Sequence, residues 1–177
     1  RPEARTEALP GEPILWVLIA SELAVFVAGV SVMVGLGLRD PVGFATAQAQ
    51  LEGRLAALNT LVLVTSGLCA ALAEAQAAQH NRRAARGWLA LAGLGGLVFL
   101  ALKGVEYTHD IHAGIGIDDH PFFTFYYLLT GFHAAHVLAG VVVLALVALR
   151  ARPAPVQAAV MIWHMVDLVW VLILPAI

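Results

Sequence analysis

The sequence predicts an all-α polytopic membrane protein, a bundle of five transmembrane helices. Composition and two patterns carry this. Apolar residues are 60% of the 177 and charged residues only 12%, about half the roughly 25% charge of a soluble domain. Five apolar runs each approach or exceed the about 20 residues a helix needs to cross the hydrocarbon layer. Charged residues that persist in or beside such runs are costly and usually have a task; here they are Glu22, Lys103, Glu106, His133, His136, His164 and Asp167.

The runs cover about 14–38, 55–78, 88–107, 122–149 and 156–177, so 13–177 reads as one five-helix domain behind a polar tail, 1–12. Pro13 suits an initial helical turn, and Asp40-Pro41 stops the first run. The stretch 39–53 reads as a loop with a short surface helix around Ala45 to Glu52. Asn59, Thr60, Thr65, Ser66 and Gly67 mark the second run as packed against protein, because small and hydroxylated residues let membrane helices approach closely. Ala75 to Arg86 reads as a protruding helix end with a basic turn. Gly93, Gly95 and Gly96 give the third run a close-packing face. They form no dinucleotide fingerprint, which needs a strand before it. His109 to Pro121 reads as a polar loop. Aromatics from Phe122 to Tyr127 open the fourth run at the interface, and Pro153 and Pro155 break the chain before the fifth.

Arg82, Arg83, Arg86, Arg150 and Arg152, with Arg1 and Arg5 in the tail, fall on one side of an alternating bundle. Short loops rich in lysine and arginine stay cytoplasmic. The N-terminus is therefore expected in the cytoplasm and the C-terminus in the periplasm of a bacterial inner membrane. No signal-peptide cleavage pattern accompanies the first run, which reads as a retained helix. The formal charge of −2 gives no basic signal for nucleic acid. Cys69, the only cysteine, has no internal disulfide partner and reads as a small apolar filler. No internal repeat supports the inverted-repeat architecture of secondary transporters.

Glu22 lies about 13 Å into the first helix at 1.5 Å per residue, near mid-membrane. It is either a neutral carboxyl bonded to another helix or a site facing a partner or proton path. Lys103 and Glu106 are three apart, able to pair or snorkel, and Glu106 with Tyr107 beside it reads as a cap on the membrane exit. His133 and His136, and likewise His164 and Asp167, share that spacing and so share a helix face. The histidines read as polar clamps between helices or as ligands of a metal or haem; Asp167 can fix the tautomer of His164. His109, His112 and His120 beside Asp110, Asp118 and Asp119 read as a solvated loop or a divalent-metal site.

The segments from Gly131-Phe132-His133-Ala134-Ala135-His136 to Gly140 and from Trp163-His164-Met165-Val166-Asp167 to Trp170 resemble the last two helices of subunit III of the haem-copper oxidase superfamily. Trp16, Ser21, Glu22 and Phe26 resemble that family's first core helix with its buried glutamate. Leu58-Asn59-Thr60 and Ser66 resemble the next, and Lys103-Gly104 with Glu106-Tyr107 the end of the third. The resemblance covers about Pro13 to Ile177. It is to a five-helix form, lacking the first two helices of the seven-helix form. Lys103 to Tyr107 followed by Asp110-Ile111-His112-Ala113-Gly114, and the end soon after Pro175, look most like the NorE-like branch associated with nitric oxide reductase.

The resemblance implies an accessory subunit, not an enzyme by itself. It implies no catalytic residue, no haem or metal in this chain, haem and metal in a catalytic membrane partner, and bound phospholipid. Glu22 would lie near a gas-entry route that sustains turnover. His133, His136, His164 and Asp167 would be contacts between helices and subunits. The complex would reduce nitric oxide, or oxygen if the chain is subunit III of a cytochrome c or quinol oxidase. A small membrane haem protein and a transporter are the competing classes.

Overall fold

A computed structural model describes residues 13–51 and 53–177; the tail with Arg1 and Arg5, and Glu52, lie outside them. The described chain runs α1 (Pro13–Gly37), α2 (Pro41–Gln48), α3 (Gly53–Ala78), α4 (Arg82–His112), α5 (Pro121–Ala148) and α6 (Pro153–Ile173), closed by a 3₁₀ turn, Leu174–Ala176. Five of these helices are long and apolar enough to cross a membrane. The described chain is all helix and connecting turns.

Several boundaries differ from the sequence expectation for one reason. Hydropathy falls where charge begins, but a helix continues into the headgroup zone. α4 has 31 residues, about 46 Å at 1.5 Å each, against a hydrocarbon core of about 30 Å. Arg82, Arg83 and Arg86 therefore lie in its first turns rather than in a loop, and His109, Asp110 and His112 in its last turns. The turn before it is only 79–81. His80 adopts a left-handed φ of 59° there, and the Asn81 side chain accepts a hydrogen bond from the Ala84 amide.

The prolines open helices more than they break them. Asp40 caps α2 by accepting from the Gly43 amide, with Pro41 in the first turn. The short surface helix thus starts earlier than Ala45 and ends at Gln48. His120 Nδ1 accepts from the Phe122 amide as the cap of α5, with Pro121 following. Pro153 begins α6 and Pro155 lies in its first turn. A proline missing its N–H costs nothing at such positions.

α3, α4, α5 and α6 form an antiparallel ring, with the α3–α4 hairpin as its most extensive interface; α1 stands outside, against α5 and α6. α6 carries the largest buried side chains, Trp163 and Trp170. The Trp163 indole N–H donates to Ser66 Oγ at 3.1 Å, and that hydroxyl donates to the Ala92 carbonyl at 2.7 Å. One contact thereby ties α6, α3 and α4. Trp170 repeats the device one level up, donating to Thr60 Oγ1 at 2.9 Å. At the arginine-bearing end, Arg86 donates to the Leu149 carbonyl at 2.7 Å and closes α4 onto α5. Leucines and valines line the outer faces of all five long helices.

Candidate functional site

Helical spacing places Lys103, Glu106 and Asp110 on one face of α4, and all three are buried. Lys103 Nζ donates to Glu106 Oε1 at 2.8 Å and to the Tyr126 hydroxyl at 3.2 Å. The Tyr126 hydroxyl donates to that same glutamate oxygen. Asp110 Oδ2 stands 3.5 Å from Tyr126, and its other oxygen faces exposed His109 at 3.8 Å. The Lys103 ammonium also lies over the rings of Tyr126 and Trp170, at 4.9 and 5.3 Å. Glu106 faces the bundle interior rather than capping the membrane exit. Its neighbour Tyr107 turns to Thr130, 2.6 Å away. Glu106 Oε2 has no hydrogen-bond partner among the described residues.

One level deeper, His133 is fully buried. Its ring stacks on Trp170 at 5.3 Å and meets Phe99 edge-on at 5.4 Å. Neither ring nitrogen has a partner among the described residues, and neither does either amide atom of Asn59. His136, one turn on, is only partly buried and reaches α1, where its Nε2 lies 3.1 Å from Glu22 Oε2. Its Nδ1 bonds the Phe132 carbonyl at 2.8 Å. Phe26 packs its ring against both histidines.

His164 and Asp167 lie on a different side of the bundle, 3.7 Å apart. A side chain at Gly67 of α3 would run into the Asp167 carboxylate, so glycine there lets this pair reach α3. The spacing of His133 and His136 allowed a shared metal; one ring is enclosed by aromatics and the other engaged with a carboxylate. His164 is held away from both. Among the described residues no three of His, Cys, Asp and Glu converge as a metal set.

The His109–His120 stretch likewise divides. Asp110 is buried toward Tyr126, His112 Nδ1 bonds the Thr108 carbonyl, Asp119 bonds the Gly116 amide, and His120 Nε2 reaches Asp40 at 3.3 Å. The Gly43 amide, and then His120, hold the Asp40 carboxyl below its usual range. Sequence reasoning missed Tyr126 and Asp40 as members of polar clusters, and it grouped Asp110 with the loop histidines rather than with Lys103 and Glu106. Asp110 had a usable signal, since it lies four residues from Glu106.

Residues 14–177 match the family model described as cytochrome c oxidase subunit III. The chain is 30% identical to the probable cytochrome c oxidase subunit 3 of Nocardia farcinica, over 89% of this chain and 81% of that protein. It is 34% identical to the cytochrome c oxidase subunit 3 of Corynebacterium diphtheriae, over 63% of this chain and 58% of that one. It is 31% identical to the heme-copper oxidase subunit I+III of Aeropyrum pernix, over 91% of this chain and 22% of that longer protein.

Proposed function

The chain belongs to the cytochrome c oxidase subunit III family, and from that premise we propose that it is a non-catalytic accessory subunit of a haem-copper superfamily respiratory complex. It packs in the membrane against a catalytic haem-bearing subunit, binds phospholipid on its apolar faces and keeps that subunit active over many turnovers. The observation that carries this is the family match over 14–177, which takes in every described polar cluster. The fused subunit I+III of Aeropyrum pernix supports it, because there a segment similar to this chain shares a polypeptide with a subunit I.

Two specific partners are supported by different observations. The names of the relatives favour an oxygen-reducing oxidase. The Lys103–Gly114 stretch favours the nitric oxide reductase associated with NorE-like proteins. In either complex the chain is a single five-helix domain in a bacterial inner membrane, with its N-terminus cytoplasmic and its C-terminus periplasmic. Short-loop arginines support that orientation. Glu22, Lys103, Glu106, His133, His136, His164 and Asp167 serve as contacts between helices and toward the partner rather than as ligands.

The deciding experiment is gentle extraction of the tagged chain from native membranes, with mass spectrometry and an absorbance spectrum. Co-purification with a haem-bearing catalytic subunit is the expected result, and that subunit's identity selects oxygen or nitric oxide. A colourless chain without partner would return transport to the front. Haem in the lone chain would overturn the proposal.

A further inference from the structure

His164 lies about 16 Å into α6 at 1.5 Å per residue, half-way through a hydrocarbon core of about 30 Å. Its side chain is nonetheless 47% exposed on the outside of the bundle. Nδ1 faces Asp167 Oδ2 at 3.7 Å, and among the described residues no other polar group bonds a ring nitrogen. Other exposed polar side chains within the spans are satisfied. The hydroxyls of Ser21, Ser31 and Thr65 each donate to a carbonyl of their own helix, and His136 is engaged through both nitrogens. Acyl chains offer His164 neither donor nor acceptor, and a polar ring left facing them is costly.

The surroundings narrow what covers this ring. Asp167 draws the ring hydrogen to Nδ1, which leaves Nε2 of the neutral imidazole as an acceptor. Glu74 of α3 lies within electrostatic reach of the same ring. α6 has no lysine or arginine, and α3 has only Arg54 at its far end. A hydrogen-bond donor is therefore what the face lacks. His164, Leu168 and Val171 follow the i, i+4, i+7 spacing of one helix face, and all three are exposed. One turn beyond His164 that face runs into an apolar groove of about 430 Å³ between α1 and α6, walled by Leu23, Val27, Leu168 and Val171 among others. The groove alone would take an acyl chain, but an acyl chain brings no donor. A polypeptide that fills both strip and groove inside the bilayer satisfies its own backbone only as a helix. A second copy of this chain fits poorly, because pairing about a two-fold axis would set Asp167 and Glu74 against their own equivalents.

Resting on the accessory-subunit reading, we propose that this strip of α6 is the face on which the catalytic subunit docks. One transmembrane helix of that subunit lies along His164, Leu168 and Val171, seats apolar side chains in the α1–α6 groove and donates a hydrogen bond to His164 Nε2 at mid-depth.

The test is made in native membranes holding the full complex. A photo-crosslinking amino acid replaces Leu168 in one tagged chain and Leu94 in another. Leu94 is as exposed as Leu168 but lies on α4, diagonally across the ring from α6. Mass spectrometry then identifies the adducts. Position 168 is expected to capture the catalytic subunit, in a transmembrane segment that bears a donor side chain, and position 94 is not. Val171→Trp crowds the strip without touching the polar pair, so the catalytic subunit should be released at lower detergent concentration; Leu94→Trp should behave as the wild type. His164→Leu should weaken the association about ten-fold, and His164→Gln, which keeps an acceptor, less. The crosslinks and Val171→Trp decide the matter even if His164→Leu fails to fold. A wild-type chain that co-purifies with the catalytic subunit but links to it from 94 and not from 168 leaves the accessory role standing and overturns this docking face. Adducts at 168 with lipid alone, or with a second copy of the chain, overturn it as well. Failure of the wild type to co-purify with any haem-bearing subunit overturns the accessory reading and this inference with it.

Discussion

Glu22 and His136 share one proton. The Phe132 carbonyl can only accept, so His136 Nδ1 must carry hydrogen toward it. The short approach of Nε2 to Glu22 Oε2 then needs one more proton between them. It makes either an imidazolium with a carboxylate or a neutral ring accepting from a neutral carboxyl. Both forms carry the same count. Glutamine at position 22 keeps a donor for the ring but removes the proton. Glu22→Gln is therefore expected to assemble normally and stay within about 1 kcal/mol of wild type. Glu22→Leu, which strands Nε2, should cost about 1–2 kcal/mol. Under our functional proposal, turnover of the complex should decay faster with time in both. If Glu22→Gln decays as the wild type does, the residue is structural only.

Lys103 answers to two carboxylates, all three groups buried in the bundle. Replacing it by methionine leaves Glu106 and Asp110 uncompensated, and breaking such a buried pair typically costs about 3–5 kcal/mol. Lys103→Met/Glu106→Gln removes one charge of each sign and should recover a large part of that loss. Denaturation of the chain in micelles measures both. Equal stability of Lys103→Met and the wild type would remove the ion cluster from the account of what holds α4 to α5.

These two clusters differ in how far the sequence disclosed them. Lys103 and Glu106 are three residues apart on one helix, and local periodicity pairs them. Glu22 and His136 are 114 residues apart. Each was visible as a charge in an apolar run, but helix register decides whether they meet, and no local pattern encodes register. The same limit hid Tyr126, whose place in an aromatic run matched the interface while its hydroxyl serves the buried pair. It hid Asp110 for a different reason: charge at a helix end mimics a loop. The five spans themselves were legible, because the thickness of the bilayer sets their length whatever their packing.

Asp40 lies outside the spans and joins α2 to α5 through His120. Its carboxyl titrates below its ordinary value, through the Gly43 amide first and His120 next. A lowered folded-state value means that the contact adds stability above the unfolded value, near pH 4, and loses it as pH falls through the folded one. Amide exchange in α2 should therefore be flat from neutral pH down to about pH 4, once corrected for intrinsic rates, and quicken below it. Asp40→Asn keeps a capping oxygen without the charge, so the acid step should vanish. A step that survives in Asp40→Asn would belong to another group.

Trp163 is seated by the absence of side chains. A Cβ at Gly140 would fall 2.8 Å from its ring, and one at Gly96 2.6 Å from the ring and 2.7 Å from Val141. The ring is wholly buried, flanked by backbone on two helices and tethered to Ser66 on a third. Nothing nearby can swing away as a surface side chain would. Gly140→Ala should thus overpack the centre of the bundle and cost about 1–3 kcal/mol. Trp163→Phe removes the ring that the new methyl strikes, while Ser66 keeps its bond to the Ala92 carbonyl. The double variant Gly140→Ala/Trp163→Phe should therefore be less destabilised than the sum of the single changes, with a coupling of about 0.5–3 kcal/mol. Denaturant-induced unfolding of the four proteins in the same micelle gives the cycle. Strict additivity would mean that the two residues do not press on each other, and that α5 and α6 are held together elsewhere.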